Sequence, residues 1–204
     1  MAKLKLTKGE LKRQRDSLRQ FQRYLPTLQL KKQQLQIEIL HQKAYLEQKE
    51  LEEQTKRKAM IVWAGLLSEK KDLRYLLKIQ KIEVTYKNIA GVSVPEFKQI
   101  IFEDVEYDLF LEPLWLDKAL EQIKELVSLE KEITIIKEGI GLLEEELRIT
   151  TQRVNLFEKI KIPEAQEAIR KIKVYLGDQM ANAVGRSKIA KKKIEAIVWQ
   201  EAII

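Results

Sequence analysis

The sequence predicts a mainly α protein: a long antiparallel two-helix coiled coil with a small β-hairpin region at the end distal to the termini. Three observations carry this. Leu126, Ile133, Ile140, Leu147 and Val154 recur every seven residues; Leu129, Ile136, Leu143 and Phe157 follow three positions on, and Thr150 is the one polar break. Leu4, Leu11, Leu18 and Leu25 also repeat at seven, and Phe21, Leu28, Leu35, Ile39 and Leu46 carry that register on. Between the two seams the period changes. Apolar pairs spaced three and four make a seam along one side of a helix, and a seam needs a partner helix. Two seamed segments in one chain, on either side of a short region of different character, supply each other.

Composition fits that architecture. The chain has 204 residues, no Cys, seven Gly and 34% charged residues. Richness in Leu, Ile, Lys, Glu and Gln with heptads suits long helices better than a globule. Without Cys there are no disulfides or thiolate metal sites. No apolar run approaches the roughly 20 residues that span a bilayer. Met1 to Lys8 is basic but lacks the apolar core of a signal peptide, so the expectation is a soluble, intracellular protein.

Taken in order, residues 1–80 read as one long helix, capped by Thr7 with Glu10 as a capping-box partner. Pro26 interrupts it, because an interior proline removes a backbone hydrogen bond. Between Glu47 and Lys58 only Leu51 is apolar; the seam resumes at Ala59, Val62, Leu66, Leu73 and Leu76, one position out of register. Residues 81–113 form the hairpin and connector. Val84 and Tyr86, then Val92 and Val94, suggest strands around a turn at Asn88 to Gly91, with Pro95 breaking the second; Val105, Tyr107, Leu109 and Leu111 alternate as a further strand. Residues 114–204 form the second long helix, interrupted at Pro163 and loosened or ended at Gly177. Helix ends near 80 and 113 place residues whose numbers add to roughly 190 at one level. Pro26 would then face the neighbourhood of residue 165, giving matched bends or a joint.

Charge gathers at the ends. Residues 1–15 hold Lys3, Lys5, Lys8, Lys12, Arg13 and Arg15 against Glu10. Residues 185–204 hold Arg186, Lys188, Lys191, Lys192 and Lys193 against Glu195 and Glu201. An antiparallel hairpin would bring both to one tip, suited to an acidic socket or a nucleic acid. The second helix carries another apolar stripe, Ile135, Leu142, Ile149 and Leu156, about 100° round from the second seam row. Either the partner's long side chains cover it or it is a docking face for another protein; the polar gap in the first helix favours docking. His41 lacks companions for a metal or catalytic site. Glu144, Glu145 and Glu146 read as a solvated face, Gly139 and Gly141 as close-packing or flexible points, and Trp63, Trp115 and Trp199 as packing anchors. The glycine spacing from Gly177 to Ser187 does not fit a phosphate loop. No catalytic residues, cofactor or metal site are expected.

Several segments together resemble a known family. They are Leu4-Lys5-Leu6-Thr7-Lys8, Asn88-Ile89-Ala90-Gly91-Val92, Arg153-Val154-Asn155-Leu156-Phe157-Glu158, Tyr175-Leu176-Gly177-Asp178-Gln179 and Gly185-Arg186-Ser187-Lys188-Ile189-Ala190-Lys191-Lys192-Lys193. In order and over nearly the whole chain, they resemble the D-subunit family of V-type and A-type rotary ATPases, in its bacterial branch. The resemblance implies a non-catalytic rotor shaft on the cytoplasmic side of a membrane-bound complex. Its terminal helices would enter the head, a ring of catalytic and nucleotide-binding A and B subunits. The small F subunit of the stalk would dock on the lower coiled coil and hairpin region, and the foot would meet the funnel subunit (C/d) on the membrane ring. ATP hydrolysis or synthesis in the head would be coupled to proton or sodium translocation, with no direct insertion into the membrane and no nucleic acid. Within that picture the basic tip (Lys3, Lys5, Lys8, Arg186, Lys188, Lys191, Lys192, Lys193) would face the head ring. The Ile135–Leu156 stripe as the seat of the small F subunit is an assignment from the residues alone. The alternative is a nucleic-acid-binding or structural coiled coil using the basic tip.

Overall fold

A computed structural model describes residues 4–69, 74–105, 107 and 112–201. The elements are helix α1 (Lys8–Ile61), strands β1 (Ile79–Ile89) and β2 (Val92–Phe102), helix α2 (Leu116–Leu156), a π-helical turn (Phe157–Lys161) and helix α3 (Ile162–Glu201). Two short 3-10 turns, Ala64–Glu69 and Arg74–Leu77, lie between α1 and β1. The fold is mainly α with one two-stranded antiparallel hairpin. The chain divides into two compact units, Leu30–Thr151 and Met1–Gln29 with Gln152–Ile204.

In the unit Leu30–Thr151, α1 and α2 run antiparallel. Lys31 meets Glu146, Lys49 meets Glu132 and Lys56 meets Glu125, so one number rises as the other falls. The α2 seam is buried at Leu129, Ile133, Ile136, Ile140 and Leu143, while Leu126 and Leu147 are half-buried. Opposite them Leu35 and Ile39 of α1 are buried.

The hairpin begins at the far end of the helix pair and lies back along it. Its turn-proximal residues Ile89, Ala90, Val92 and Val94 join one apolar cluster with Leu35, Ile39, Leu143 and Leu147. A second cluster, Leu76, Leu116 and Leu120 with Leu77, Val105, Tyr107 and Trp115, closes the far end. The turn is a two-residue loop in which Ala90 and Gly91 both have positive φ (50° and 85°), the pattern that matches strand twist in tight hairpins. Asn88 Oδ1 accepts the Gly91 N–H at 3.0 Å.

Pro95 does not break β2. Hydrogen-bonded and non-hydrogen-bonded pairs alternate outward from Ile89↔Val92, so Tyr86↔Pro95 is a non-bonded pair. The missing N–H there points to a free sheet edge, where proline is tolerated. The expected third strand is not seen at Val105 or Tyr107, which instead pack on the far-end cluster; Leu109 and Leu111 lie outside the described residues.

The other unit contains the first turns of α1, the end of α2, and α3. Thr7 Oγ1 accepts the Glu10 N–H at 3.2 Å. Glu10 itself accepts from Gln14 at 2.8 Å, so only half of the capping box forms. Val154, Ala165, Ile169 and Ile172 are buried, Leu11, Leu18 and Leu25 are half-buried, and Phe21 stacks on Phe157 with centroids 5.3 Å apart.

Several boundaries differ from the sequence expectation. The first helix stops at Ile61 rather than near 80, where the seam slips by one position and i→i+3 bonds take over: Trp63 N–H to Met60 O and Leu66 N–H to Trp63 O. Leu73 lies outside the described residues. With α1 ending there and α2 starting at Leu116, cross-helix ion pairs join residues whose numbers add to between 177 and 187, below the expected 190. The prolines are consequently not level. Pro26 lies five residues beyond Phe21 and Pro163 six beyond Phe157, in opposite directions along antiparallel helices, so about 16 Å separates them. Helix α1 continues through Pro26, and α3 continues through Gly177. Pro163 falls in the first turn of α3, immediately after the π-helical turn.

Candidate partner-binding surfaces

The helix pair first uses its charges on itself. Glu47 to Lys58, the stretch poor in apolar residues, is tied across to α2 by Lys49–Glu132 at 3.0 Å, Glu50–Lys137 at 2.7 Å, Lys56–Glu125 at 3.2 Å and Arg57–Glu130 at 2.6 Å. Tyr45 donates to Glu132 at 2.7 Å. The gap in the seam is thus bridged by an ion-pair ladder. Two of the three consecutive glutamates also pair across, Glu144 with Lys43 and Glu146 with Lys31, each at 2.7 Å. At Lys49 burial disfavours the charge, but the hydrogen bond and charge of Glu132 outweigh it and hold the amine above its ordinary range. Lys56 is raised chiefly by the hydrogen bond it donates to Glu125. Burial first, then Glu132, raises the Tyr45 phenol.

The hairpin settles which apolar faces stay open. Gly139 sits under Val94: a Cβ there would lie 2.9 Å from Val94 Cγ1. Ile135, one turn away on the same side of α2, is 8% exposed. The expected docking stripe therefore loses its first member, because this chain buries it. Ile149 is half-buried, and Leu142 and Leu156 are exposed.

Sequence reasoning missed another surface. Leu30, Ile37, Ala44 and Leu51 repeat at seven on α1, and Leu40 lies three residues after Ile37. Leu30, Ile37, Leu40 and Leu51 are all exposed, Leu40 to 66%. A groove of about 560 Å³ is lined by Gln33, Gln36, Ile37, Ile39, Leu40, Lys43 and Leu147. Leu40 stands about 180° round α1 from Lys31, whose amine lies beneath the hairpin turn at Gly91. The groove thus faces away from the hairpin tip. The repeat is legible in the sequence, but the stronger seam of Leu18, Leu25, Leu35 and Ile39 on the same helix masks it. At the far end Val62 and Leu114 are 87% and 98% exposed, on the last residues after α1 and just before α2.

The described basic residues do not come level with one another. On α3 the last buried side chain is Ile172 and the last half-buried one Leu176; all described side chains from Gly177 to Glu195 are exposed. Counted antiparallel from the Phe21–Phe157 stack, Lys8 is level with Arg170, and Arg186 lies about 24 Å further along. Arg186, Lys188, Lys191, Lys192 and Lys193 thus sit on a stretch of α3 with exposed sides, beyond Lys5 and Lys8, which are also exposed. Lys3 and the side chain of Trp199 lie outside the described residues.

The chain has relatives in sequence. A profile of the family described as the D subunit of ATP synthase matches residues 10–192. The V-type ATP synthase D subunit of Borreliella burgdorferi is 46% identical over 194 residues, covering 95% of this chain and 96% of that protein. Those of Chlamydia pneumoniae and Chlamydia trachomatis serovar L2 are 39% and 36% identical, covering 94% and 95% of this chain and 93% and 97% of their own. By its fold, its length and these relatives, the chain belongs to the D-subunit family of V-type ATP synthases.

Proposed function

We propose that this chain is the central-stalk rotor shaft of a V/A-type rotary ATPase, a non-catalytic component coupling ATP hydrolysis or synthesis in the head to proton or sodium translocation through the membrane ring. The ion-paired antiparallel helix pair carries this reading. A shaft must resist twist, and a buried seam flanked by cross-helix pairs along α1 and α2 ties the two helices together. Among the described residues no helix is long and apolar enough to cross a membrane, which fits a peripheral place on the cytoplasmic side.

Each partner takes a different surface. The A and B subunits of the head receive the solitary basic end of α3 around Arg186 to Lys193. The funnel subunit meets the apolar foot at Val62 and Leu114. The small F subunit of the stalk seats on the groove of Ile37, Leu40 and Leu147; the stripe residues Leu142, Ile149 and Leu156 are the competing seat.

Affinity purification of the tagged chain from its own cells tests the assignment. Recovery of identified A, B and F subunits with magnesium-dependent ATPase activity is the expected result. Recovery of nucleic acid alone, lost at moderate salt, would overturn it. With the purified F subunit, Leu40→Asp is expected to weaken binding at least about tenfold, the order expected for burying a charge in an apolar contact, and Leu142→Asp much less. The reverse ranking moves the seat to the stripe.

A further inference from the structure

Within the unit Leu30–Thr151, the hairpin tip and the open groove on α1 share a wall. Ile39 and Leu147 pack in the apolar cluster that receives Ile89, Ala90, Val92 and Val94. Both also line the groove, beside Ile37 and Leu40. Ile39 is buried and Leu147 half-buried. The groove faces away from the tip, so these side chains have the packed cluster on one flank and open space on the other. Among the described residues, the side-chain hydrogen bonds and ion pairs of Ile79–Phe102 run within the hairpin, and none reaches α1 or α2. The tip is therefore held by apolar packing, with Val94 lodged over Gly139, where a Cβ would lie 2.9 Å from Val94 Cγ1. A seat of that kind, with no directional bond to break, opens and closes as a local unit.

We propose that seating of the hairpin and occupation of the groove by the small F subunit are coupled through Ile39 and Leu147, each favouring the other. The occupant comes from the rotor reading, on which this inference rests. With the groove empty, one flank of each shared side chain lacks packing partners. Apolar side chains laid in the groove fill that flank and hold Ile39 and Leu147 in the arrangement the tip packs against. A seated tip likewise presents them already ordered, so less freedom is lost when F binds. The coupling is reciprocal: the factor by which the seated tip raises F affinity is the factor by which bound F favours seating. F thereby clamps the hairpin to the helix pair from the opposite side.

Titration of the purified F subunit against the full chain, with hydrogen–deuterium exchange of the hairpin, tests it. Val94→Asp unseats the tip from a position outside the groove and should weaken F binding about tenfold. Gly139→Ala presses on Val94 without adding charge and should weaken it about fivefold. Tyr86→Ala, at an exposed hairpin position outside the cluster, should leave it unchanged. In the parent, bound F should slow exchange at the amides of residues 89–94 by about the factor lost in Val94→Asp; this holds the test even where a variant fails to fold. Full F affinity in both seat variants, or tip exchange that F leaves unchanged, overturns the coupling. So does an equal loss in Tyr86→Ala, because F would then touch the hairpin itself. Leu40→Asp separates the two readings. If it binds F like the parent, the groove is not the seat, and the coupling falls with it; if it loses F while the seat variants do not, the coupling alone fails.

Discussion

Gly139 and Gly141 lie two residues apart on α2 and differ in what a methyl group would meet. At Gly139 it would press on Val94 Cγ1 at 2.9 Å, with the Pro95 carbonyl behind it at 3.7 Å; at Gly141 nothing lies within 4 Å. Alanine is the better helix former by about 0.8–1 kcal/mol. Gly141→Ala should therefore raise Tm, whereas Gly139→Ala should lower it, because overpacking costs about 1–3 kcal/mol and Val94 is buried and branched. Thermal melts of the two variants check this, and a stabilised Gly139→Ala would mean the hairpin is not seated as described. The sequence marked both glycines as interruptions in a strong heptad. Only the fold shows that one is a notch for the hairpin and the other is open. Thr150 was legible as the polar break in the seam, but its buried Oγ1, without a hydrogen-bond partner among the described residues, was not, since that depends on what surrounds the hydroxyl.

At the scale of elements, the hairpin and the ion-pair ladder show where pattern reading holds. The turn at Asn88 to Gly91 follows from local chemistry, and it lies where the sequence places it. Pro95 was misjudged because a free edge accepts what a central strand does not, and edge status is a property of the sheet. The ladder was invisible because cross-helix pairing depends on register, which the early end of α1 shifted. It makes a pH prediction. Lys49, Lys56, Tyr45 and Tyr107 are all held above their ordinary values: Lys49 by Glu132 against burial, Lys56 chiefly by Glu125, Tyr45 by burial, and Tyr107 by its hydrogen bond to Asp117. A group raised on folding contributes stability that is present below its unfolded value and lost as pH rises through its folded value. Tm should thus fall as pH climbs above the ordinary range of these groups, about 10. The Lys56–Glu125 pair is largely exposed and contributes under about 1 kcal/mol, while the Lys49–Glu132 side chains are mostly covered. Circular-dichroism melts of the parent and of a Lys49→Gln, Lys56→Gln double variant should show a shallower alkaline fall for the variant.

At the scale of the whole molecule, the apolar ends matter most. Val62 and Leu114 leave large side chains in water at the far end, where a solitary protein gains nothing from them. On the proposed rotor reading, Leu114→Asp should lower affinity for the funnel subunit at least about tenfold while binding of A, B and F subunits and the far-end cluster are kept. Titration of the purified funnel subunit against a complex carrying the variant measures it, and unchanged affinity would place the foot elsewhere.

The sequence by itself determined the fold class, the two seams and the hairpin turn, because each rests on spacing between near neighbours in the chain; the family followed from the resemblance of its ordered segments. Tertiary structure alone decided the end of α1 at Ile61, the cross-helix register, the folding-back of the hairpin and the solitude of the basic α3 end. Those depend on contacts between residues such as Val94 and Gly139, far apart in sequence, and helical periodicity carries no record of which distant side chain will fill a gap. The same reason accounts for the docking stripe: periodicity shows that Ile135 is apolar and outside the seam, but only the packed fold shows that it is buried.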